Sequence, residues 1–127
     1  MCNTSEALAE LLSLKCKITP NGARVYLNDR DEYHRIHGPA IVYTDGGESW
    51  YQNGQLHRDH GPAIVHTDGQ VLWYQRGVLH RTDGPSIIAS GGNHYHLYGA
   101  PVSRTAVRLH RVASFLGKWI CKLQMKN

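Results

Sequence analysis

The central part of this chain lacks lysine, and its C-terminal part lacks acidic residues. Residues 21–103 hold six arginines against eight acids, a net charge of −2, whereas residues 104–127 hold six bases and no acid, a net charge of +6. Residues 1–20 are balanced, with two bases and two acids. The overall charge of +4 therefore belongs to the tail, and the body is not a basic protein.

Cysteines and long apolar runs are also scarce. The three cysteines (Cys2, Cys16 and Cys121) are odd in number and lie outside the repeated part of the chain. This pattern favours reduced thiols over a disulfide framework. The chain has no run of 18 apolar residues, so no membrane-spanning helix is predicted. The N-terminus has neither a basic stretch before its apolar part nor a small-residue cleavage site, so no signal peptide is predicted.

Catalytic signatures are absent as well. The chain contains no G-x-S-x-G, P-loop, dinucleotide-binding, HExxH or CxxC pattern, each of which supplies a particular reactive group or phosphate cradle. Its 127 residues are enough for one domain with a modest core. We therefore predict that the protein is not an enzyme and needs no cofactor.

What the chain has in abundance is one phrase, written three times. Units begin at Tyr33, Leu56 and Leu79, a spacing of 23 residues, and the first two agree at 15 of 23 positions. The third keeps His-Arg and Gly-Pro but loses the tryptophan and is one residue shorter before its Tyr-Gly. A degenerate half unit precedes them at residues 20–35. Two strong copies between two worn ones are typical of a stacked repeat array, whose end units face water.

Each unit carries two turn signals. Asp45-Gly46 and Asp68-Gly69 suit tight hairpin turns because glycine accepts positive φ, and Asn53-Gly54 and Arg76-Gly77 mark the opposite ends. The runs between them, such as PAIVYT and ESWYQ, are rich in residues that fit a pleated surface. The sequence predicts a mainly β fold with flanking helices. Its sheet is an antiparallel meander of stacked hairpins, in which like residues form ladders about 10 Å apart.

The phrase W-Y-x-N-G-x-x-H-R-x-D-G-P-A resembles MORN repeats, and it is similar to a variant found in many small phage and bacterial proteins. The resemblance covers residues 20–101 and implies a stack of β-hairpins used for binding. It also implies a setting in the cytoplasm of a bacterial host cell. The third unit departs from the pattern in its later stretch, ASGGNHYHLYG, which lacks Asp-Gly and Trp-Tyr.

The flanks predict helices. Asn3 stands three residues before Glu6, as in a capping box. In the tail, the apolar residues share one stripe and most bases lie off it; we expect both helices to close sheet edges that would otherwise invite pairing. The tail stripe consists of Leu109, Val112, Leu116, Trp119 and Leu123. The predicted single domain, 1–127, divides into an N-terminal cap helix (1–17), the repeat sheet (20–101) and a basic amphipathic helix (104–125).

The nine histidines raise the question of a metal. Two of them stand three apart in each of the first two units, His34 with His37 and His57 with His60. Zinc ligands lie about 2 Å from the ion, so histidines about 10 Å apart cannot share one. Two ligands within a unit are too few for a tight site. We expect no metal, and we interpret His34, His57 and His80 as occupants of one repeated packing and hydrogen-bonding slot.

The arginines Arg35, Arg58 and Arg81 form a parallel ladder with two interpretations. Their guanidinium forks could bind phosphates or carboxylates of a partner. Alternatively, each pairs with an acid near its turn, such as Asp59 or Asp83, and pins the loop before Gly-Pro. Because acids outnumber bases in the body, we favour pairing, which still leaves a polar ladder for a protein partner.

Tryptophan and tyrosine are adjacent in the first two units, so their side chains point to opposite faces of a strand. We expect one of the two ladders to be core and the other to be half exposed, and exposed tyrosine with arginine is a composition enriched at protein interfaces. The predicted partner-binding residues are Tyr51, Tyr74, Arg35, Arg58, Arg81, His57, His80, Arg104, Arg108, Arg111, Lys118 and Lys122.

These features favour a non-enzymatic protein that binds a macromolecule, first of all another protein. The resemblance to phage repeat proteins extends this to an inhibitor of a bacterial host or defence complex, for instance of CRISPR type. The alternative is a nucleic-acid-binding protein that uses the cationic tail, which would also suit an anionic membrane surface. No DNA-binding motif accompanies that tail. The pattern leaves open whether two copies pair as a homodimer through a sheet edge.

Overall fold

The computed structural model describes residues 4–124, with side chains described through residue 118. All strand pairings are antiparallel. This architecture confirms the predicted mainly β fold with a helix on each flank. In chain order the elements are α1 (Thr4–Ser13), β1 (Lys15–Ile18), β2 (Arg24–Leu27), β3 (Ile41–Val42), β4 (Glu48–Ser49), β5 (Tyr51–Gln52), β6 (Gln55–Leu56), β7 (Ile64–Val65), β8 (Val71–Leu72), β9 (Tyr74–Gln75), β10 (Val78–Leu79), β11 (Ile87–Ala89), β12 (Gly92–Leu97), β13 (Ala100–Val102) and α2 (Arg104–Gln124).

Each of the first two units contributes two strands to one long sheet and one small hairpin beside it. The nine-stranded sheet has the order β1-β2-β3-β4-β7-β8-β11-β12-β13, while β5–β6 and β9–β10 form two-stranded sheets. Strand β4 pairs with β7, so neighbouring units join side by side. The register runs from Ile41 through Ser49, Ile64 and Leu72 to Ile87, which places the three isoleucines in one row.

The third unit keeps the same turn although its sequence has drifted. Tyr98 and Gly99 have φ values of 53° and 83°, close to the 49° and 77° of Asn53 and Gly54 in the first unit. The third unit is one residue shorter than the first two, and this difference lies in the connection between β11 and β12, which is shorter than the equivalent connections in the other units. Strand β12 runs unbroken for six residues and pairs with both β11 and β13. The last hairpin therefore forms without the Asp-Gly and Trp-Tyr signals.

Two linked substitutions distinguish the third unit from the first two. Ala40, Ala63 and Ser86 occupy the same place in their units, and all three are fully buried (0% exposed). The Ser86 hydroxyl lies 2.7 Å from Nδ1 of His96 and 3.2 Å from the carbonyl oxygen of His94. His96 stands where the first two units have tyrosine. A buried hydroxyl needs a hydrogen-bond partner, and the change from tyrosine to histidine supplies one.

The N-terminal helix is shorter than predicted. It ends at Ser13, whereas the prediction continued it to Lys17; Lys15–Ile18 instead forms the edge strand β1 paired with β2. The turn between the two strands is fixed locally, since the Thr19 hydroxyl accepts a hydrogen bond from the Ala23 N–H at 3.0 Å and Gly22 has a φ of 86°. The sequence pattern of this segment fits a helix and gives no sign that β2 will pair with it, and this explains why the predicted helix was too long. The predicted cap, Asn3, lies outside the described residues.

The C-terminal helix agrees closely with its predicted bounds but packs through another face. Ser103 caps it by accepting from the Ala106 N–H at 3.1 Å, and Val107 is buried against the sheet, chiefly near β12. The described part of the predicted apolar stripe, in contrast, is exposed: Leu109 is 65%, Val112 55% and Leu116 51% exposed. The side chains of Trp119 and Leu123 lie outside the described part of the chain. The approach of the chain from β13 sets the rotation of the helix, and this information is absent from the helix sequence.

The sheet has a thin core and two protected edges. In the described part of the chain the buried apolar residues are few and mostly small, and the accessible surface of 8745 Å² exceeds the about 6,800 Å² expected for a compact chain of this size. The edge strands are β1 and β13, and Lys15, Lys17 and Pro101 lie on them, residues that discourage pairing with another chain. Lateral contacts between units therefore matter more than a central core.

Helix α1 is attached to the sheet mainly through one carboxylate. None of its described residues is buried, but the Glu10 side chain accepts hydrogen bonds from the backbone N–H groups of Ile36 and His37 and lies 2.9 Å from Nδ1 of His37. Burial raises the pKa of Glu10, and the backbone donors and His37 outweigh that effect, so its pKa is below the ordinary value. The ionised carboxylate holds the helix in place.

Replacing Glu10 by alanine should release α1 while the sheet remains folded. Hydrogen bonds to a charged group contribute about 1.5–3 kcal/mol, so amide exchange in α1 should accelerate by at least about tenfold in the Glu10→Ala variant. The matched control is Glu6→Ala, in the exposed first turn of the same helix. Equal exchange rates for α1 in the Glu10→Ala variant and the parent protein would contradict this anchoring role.

Candidate functional site

The arginine ladder is a set of stacks between neighbouring units. Each guanidinium lies over the aromatic ring that precedes it in the array, a cation–π contact that strengthens as water is removed. The predicted Arg positions are thus turned toward the protein itself. The distances from the guanidinium carbon to the ring centre are 4.2 Å for Arg35 over Tyr26, 3.7 Å for Arg58 over Trp50 and 3.9 Å for Arg81 over Trp73.

Each arginine also fastens the loop that follows it. Its Nη1 donates to the carbonyl oxygen of the proline four residues later, at 3.4 Å in the first unit, 3.1 Å in the second and 3.0 Å in the third. The glycine before that proline leaves room for the fork, because a Cβ on Gly38 would lie 2.5 Å from the guanidinium carbon of Arg35. The predicted pinning of the loop before Gly-Pro is confirmed.

The predicted pairing of each arginine with an acid holds in the third unit and not in the second. Arg81 Nε lies 2.7 Å from Asp83, and this contact, with burial opposing it, lowers the pKa of Asp83. Asp59 pairs instead with Nε2 of His57 at 3.0 Å. Burial lowers the pKa of Arg58, which Glu48 partly offsets. Stacking and the prolyl carbonyl therefore hold the fork of Arg58.

The histidine ladder fills one repeated slot, as predicted. Nδ1 of each histidine accepts a hydrogen bond from the backbone N–H at the left-handed turn of the next hairpin, and the following glycine N–H donates to the carbonyl before the histidine. Nδ1 must be unprotonated to accept, so the neutral ring carries its proton on Nε2. The Nδ1 contacts are His34 with Asn53 at 3.0 Å, His57 with Arg76 at 3.1 Å and His80 with Tyr98 at 3.0 Å.

An open polar groove of about 1230 Å³ runs between the small hairpins and the loops of the second and third units. Charges of both signs line it, and His57, Asp59, Arg81 and Asp83 already contact one another in pairs. Among the described residues, no three His, Cys, Asp or Glu side chains come close enough to hold a metal ion. The groove thus offers hydrogen-bonding groups, but its charged side chains are not predominantly of one sign.

The predicted tyrosines belong to a larger group that we call the tyrosine cluster: Tyr33, Tyr43, Tyr51 and Tyr74. The rings of Tyr33 and Tyr51 lie 5.4 Å apart, and Tyr51 packs on the buried core of Ala23, Val25 and Ile41. Burial raises the pKa of Tyr51, and the nearby hydroxyls of Tyr43, Tyr33 and Tyr74 raise it further. Tyr33 (38%) and Tyr43 (41%) remain exposed, so the cluster joins the core to a surface of aromatic rings.

Two members of this cluster were missed in the sequence. Tyr43 follows the buried Ile41 by two residues, and strand alternation places it on the same face. Tyr33 pairs with Leu27 across an isolated bridge, a contact without a sequence signal. The tryptophans predicted on the other face are half-buried beneath arginines.

The cationic residues of the predicted site lie apart from the tyrosine cluster. Helix α2 packs on β12, near the far end of the sheet order, and Arg104, Arg108 and Arg111 line a small pocket there with Asp83. Lys118 is exposed on the same helix, and the side chain of Lys122 lies outside the described part of the chain. The predicted site therefore divides into internal ladders, the tyrosine cluster and a separate cationic helix.

Comparison with known proteins found no matching family model, no matching curated protein and no matching solved structure.

Replacing Arg58 by lysine should destabilise the protein, because an ammonium cannot stack flat on Trp50 and keep the prolyl contact as well. We expect a loss of about 1–2 kcal/mol in the free energy of unfolding. Urea denaturation measures it, with Arg24→Lys, at an exposed position of strand β2, as the matched control. A double-mutant cycle with Trp50→Leu should show coupling, and independent effects would contradict the stack.

Stability should fall on mild acidification because His80 titrates. Burial, and then the charge of His110, lowers the pKa of His80 below its usual 6.5. The unfolded chain therefore binds a proton more readily, so this stabilisation is complete above the unfolded pKa and is lost as pH falls through the folded one. Urea midpoints at about pH 8 and about pH 5 should differ less in His80→Gln than in the parent. The exposed His94→Gln control should keep the full difference; an unchanged difference in His80→Gln would refute the assignment.

Proposed function

We propose that the protein is a non-enzymatic repeat protein that binds another protein through the tyrosine cluster. The observation that carries this proposal is the contact of the exposed Tyr33 ring with Tyr51, which packs on the core. The hydroxyls of Tyr43 and Tyr74 are near enough to raise the pKa of Tyr51. Tyrosine provides a large contact area with only two side-chain torsions to fix, which is why it is enriched at interfaces and their hot spots.

The charges around this surface favour a protein over a polyanion. The body has a net charge of −2 and no lysine, and the ladder arginines direct their forks to rings and prolyl carbonyls. A phosphate backbone needs accessible cations. The tyrosine cluster instead offers rings with hydroxyl edges, which suit a partner that presents apolar and hydrogen-bonding groups together.

The kind of partner is proposed from the repeat resemblance. Small phage and bacterial proteins with this phrase suggest a target in the cytoplasm of a bacterial host, a host complex or a defence complex of CRISPR type. Binding alone can inhibit such a complex by covering a surface that it needs, so the proposal requires no chemistry from this chain.

Removing exposed rings from the tyrosine cluster should weaken partner binding without unfolding the protein. We expect Tyr33→Ala/Tyr43→Ala to weaken the affinity for the captured protein by at least about tenfold, the typical effect of losing an interface hot spot. The tagged protein captures its partner from host lysate, and the dissociation constant is then measured with the purified partner. Tyr98→Asn, which changes an exposed tyrosine outside the cluster, is the control. Equal affinity for all three proteins would exclude this surface.

Nucleic-acid binding is the second candidate, and the exposed cations of α2 favour it. No acid occurs in residues 104–127, and Arg104, Arg108, Arg111 and Lys118 are exposed. Binding to phosphates weakens steeply between low and moderate salt, whereas an aromatic protein interface changes little. Replacing the exposed Arg108, Arg111 and Lys118 by serine, which leaves Val107 packed on the sheet, would abolish DNA or RNA binding and would leave capture through the tyrosine cluster intact.

A further inference from the structure

Helix α2 presents an apolar face that nothing in the described part of the chain covers. Leu109, Val112, Phe115 and Leu116 are exposed by 65%, 55%, 68% and 51%. Successive helical residues are about 100° apart, so Leu109, Val112 and Leu116 centre roughly 170° around the helix from the side that packs on the sheet through Val107, and Phe115 lies at the edge of this face, roughly 80° from Val107. The face therefore points away from the body of the protein.

One flank of this apolar face is cationic, and the other carries the exposed small residues Ala113, Ser114 and Gly117. Arg104, Arg108, Arg111 and Lys118 lie on one side of the apolar face, and the helix contains no acid to offset them. Phe115 falls within this arc, so an aromatic ring stands among the positive charges. The described helix thus has a short strip that packs on the sheet, an apolar face turned away from the sheet, and a cationic arc between the two.

The apolar face and the cationic arc together indicate which kind of binding partner fits α2. A second copy of α2 would bring two acid-free cationic helices together, and their like charges would repel. A nucleic acid would use the cations and leave the leucines in water. An anionic bilayer surface uses both, because the apolar face enters the boundary between headgroups and acyl chains while the long basic side chains reach lipid phosphates.

We propose that α2 binds to the surface of an anionic membrane, lying in the interface with Leu109, Val112 and Leu116 inward. No described helix is long and apolar enough to cross a bilayer, so the contact is peripheral. The sheet, attached on the opposite side of α2, would remain in water with the tyrosine cluster accessible. This inference goes beyond the proposed function and concerns a separate surface.

Vesicle co-sedimentation of the full chain tests the proposal. Vesicles of equal parts phosphatidylglycerol and phosphatidylcholine should bind the protein, and pure phosphatidylcholine should bind it at least about tenfold more weakly. Leu109→Gln/Leu116→Gln should lower the affinity for the anionic vesicles by at least about tenfold. Both leucines are exposed, and an unchanged melting temperature would verify that the variant folds.

The control is Leu8→Gln/Leu12→Gln, the same change at leucines of α1 that are 60% and 82% exposed. It should bind anionic vesicles as the parent does. The proposal is overturned if the parent fails to bind them, or if Leu109→Gln/Leu116→Gln binds equally well, which would leave only a diffuse charge effect. It is also overturned if that variant changes the oligomeric state or the affinity for a captured protein and not the vesicle affinity, since the face would then bind protein.

Discussion

The contact on which the array depends is an arginine lying on the ring of the preceding unit. Its geometry requires three further residues: the aromatic ring beneath, the proline whose carbonyl accepts from Nη1, and the glycine that leaves room for the fork. Cation–π contacts contribute about 0.5–2 kcal/mol, and a net hydrogen bond about 1 kcal/mol. In a sheet with so few large buried residues, these contacts between units supply cohesion that a thicker core would otherwise provide.

Because each unit is completed by its neighbour, the two ends of the array need substitutes. At the N-terminal end, Tyr26 of the half unit takes the place of tryptophan beneath Arg35. At the C-terminal end no further unit follows, and α2 packs on β12, which carries Tyr95 at the tryptophan position. Inside that last unit, Ser86 and His96 replace an alanine and a tyrosine as a hydrogen-bonded pair. The worn units are thus adapted to having one neighbour.

The turns, the ladders and the histidine slot could be predicted because repetition constrains them: a residue type that recurs at one spacing must meet equivalent surroundings each time. The errors concern contacts that do not recur. Lys15–Ile18 reads as the end of a helix until β2 is known to pair with it. The apolar stripe of α2 identifies a face without identifying what lies against it, and the chain arriving from β13 turned that face outward. The stack under each arginine was missed since sequence spacing favoured a nearby acid.

The same logic separates scaffold from recognition within each unit. His, Arg, Gly and Pro recur in all three units, and Trp recurs in the first two. Their polar groups and rings contact neighbouring units or the loops of their own unit. The proposed interface includes a position that varies between units, since the second unit has His66 where the first has Tyr43. The turn residue of the small hairpin also changes, from Asn53 to Arg76 to Tyr98. A ladder of identical side chains would form the same surface several times, whereas the substitution at Tyr43 makes the surfaces of the two units differ, as a specific interface requires.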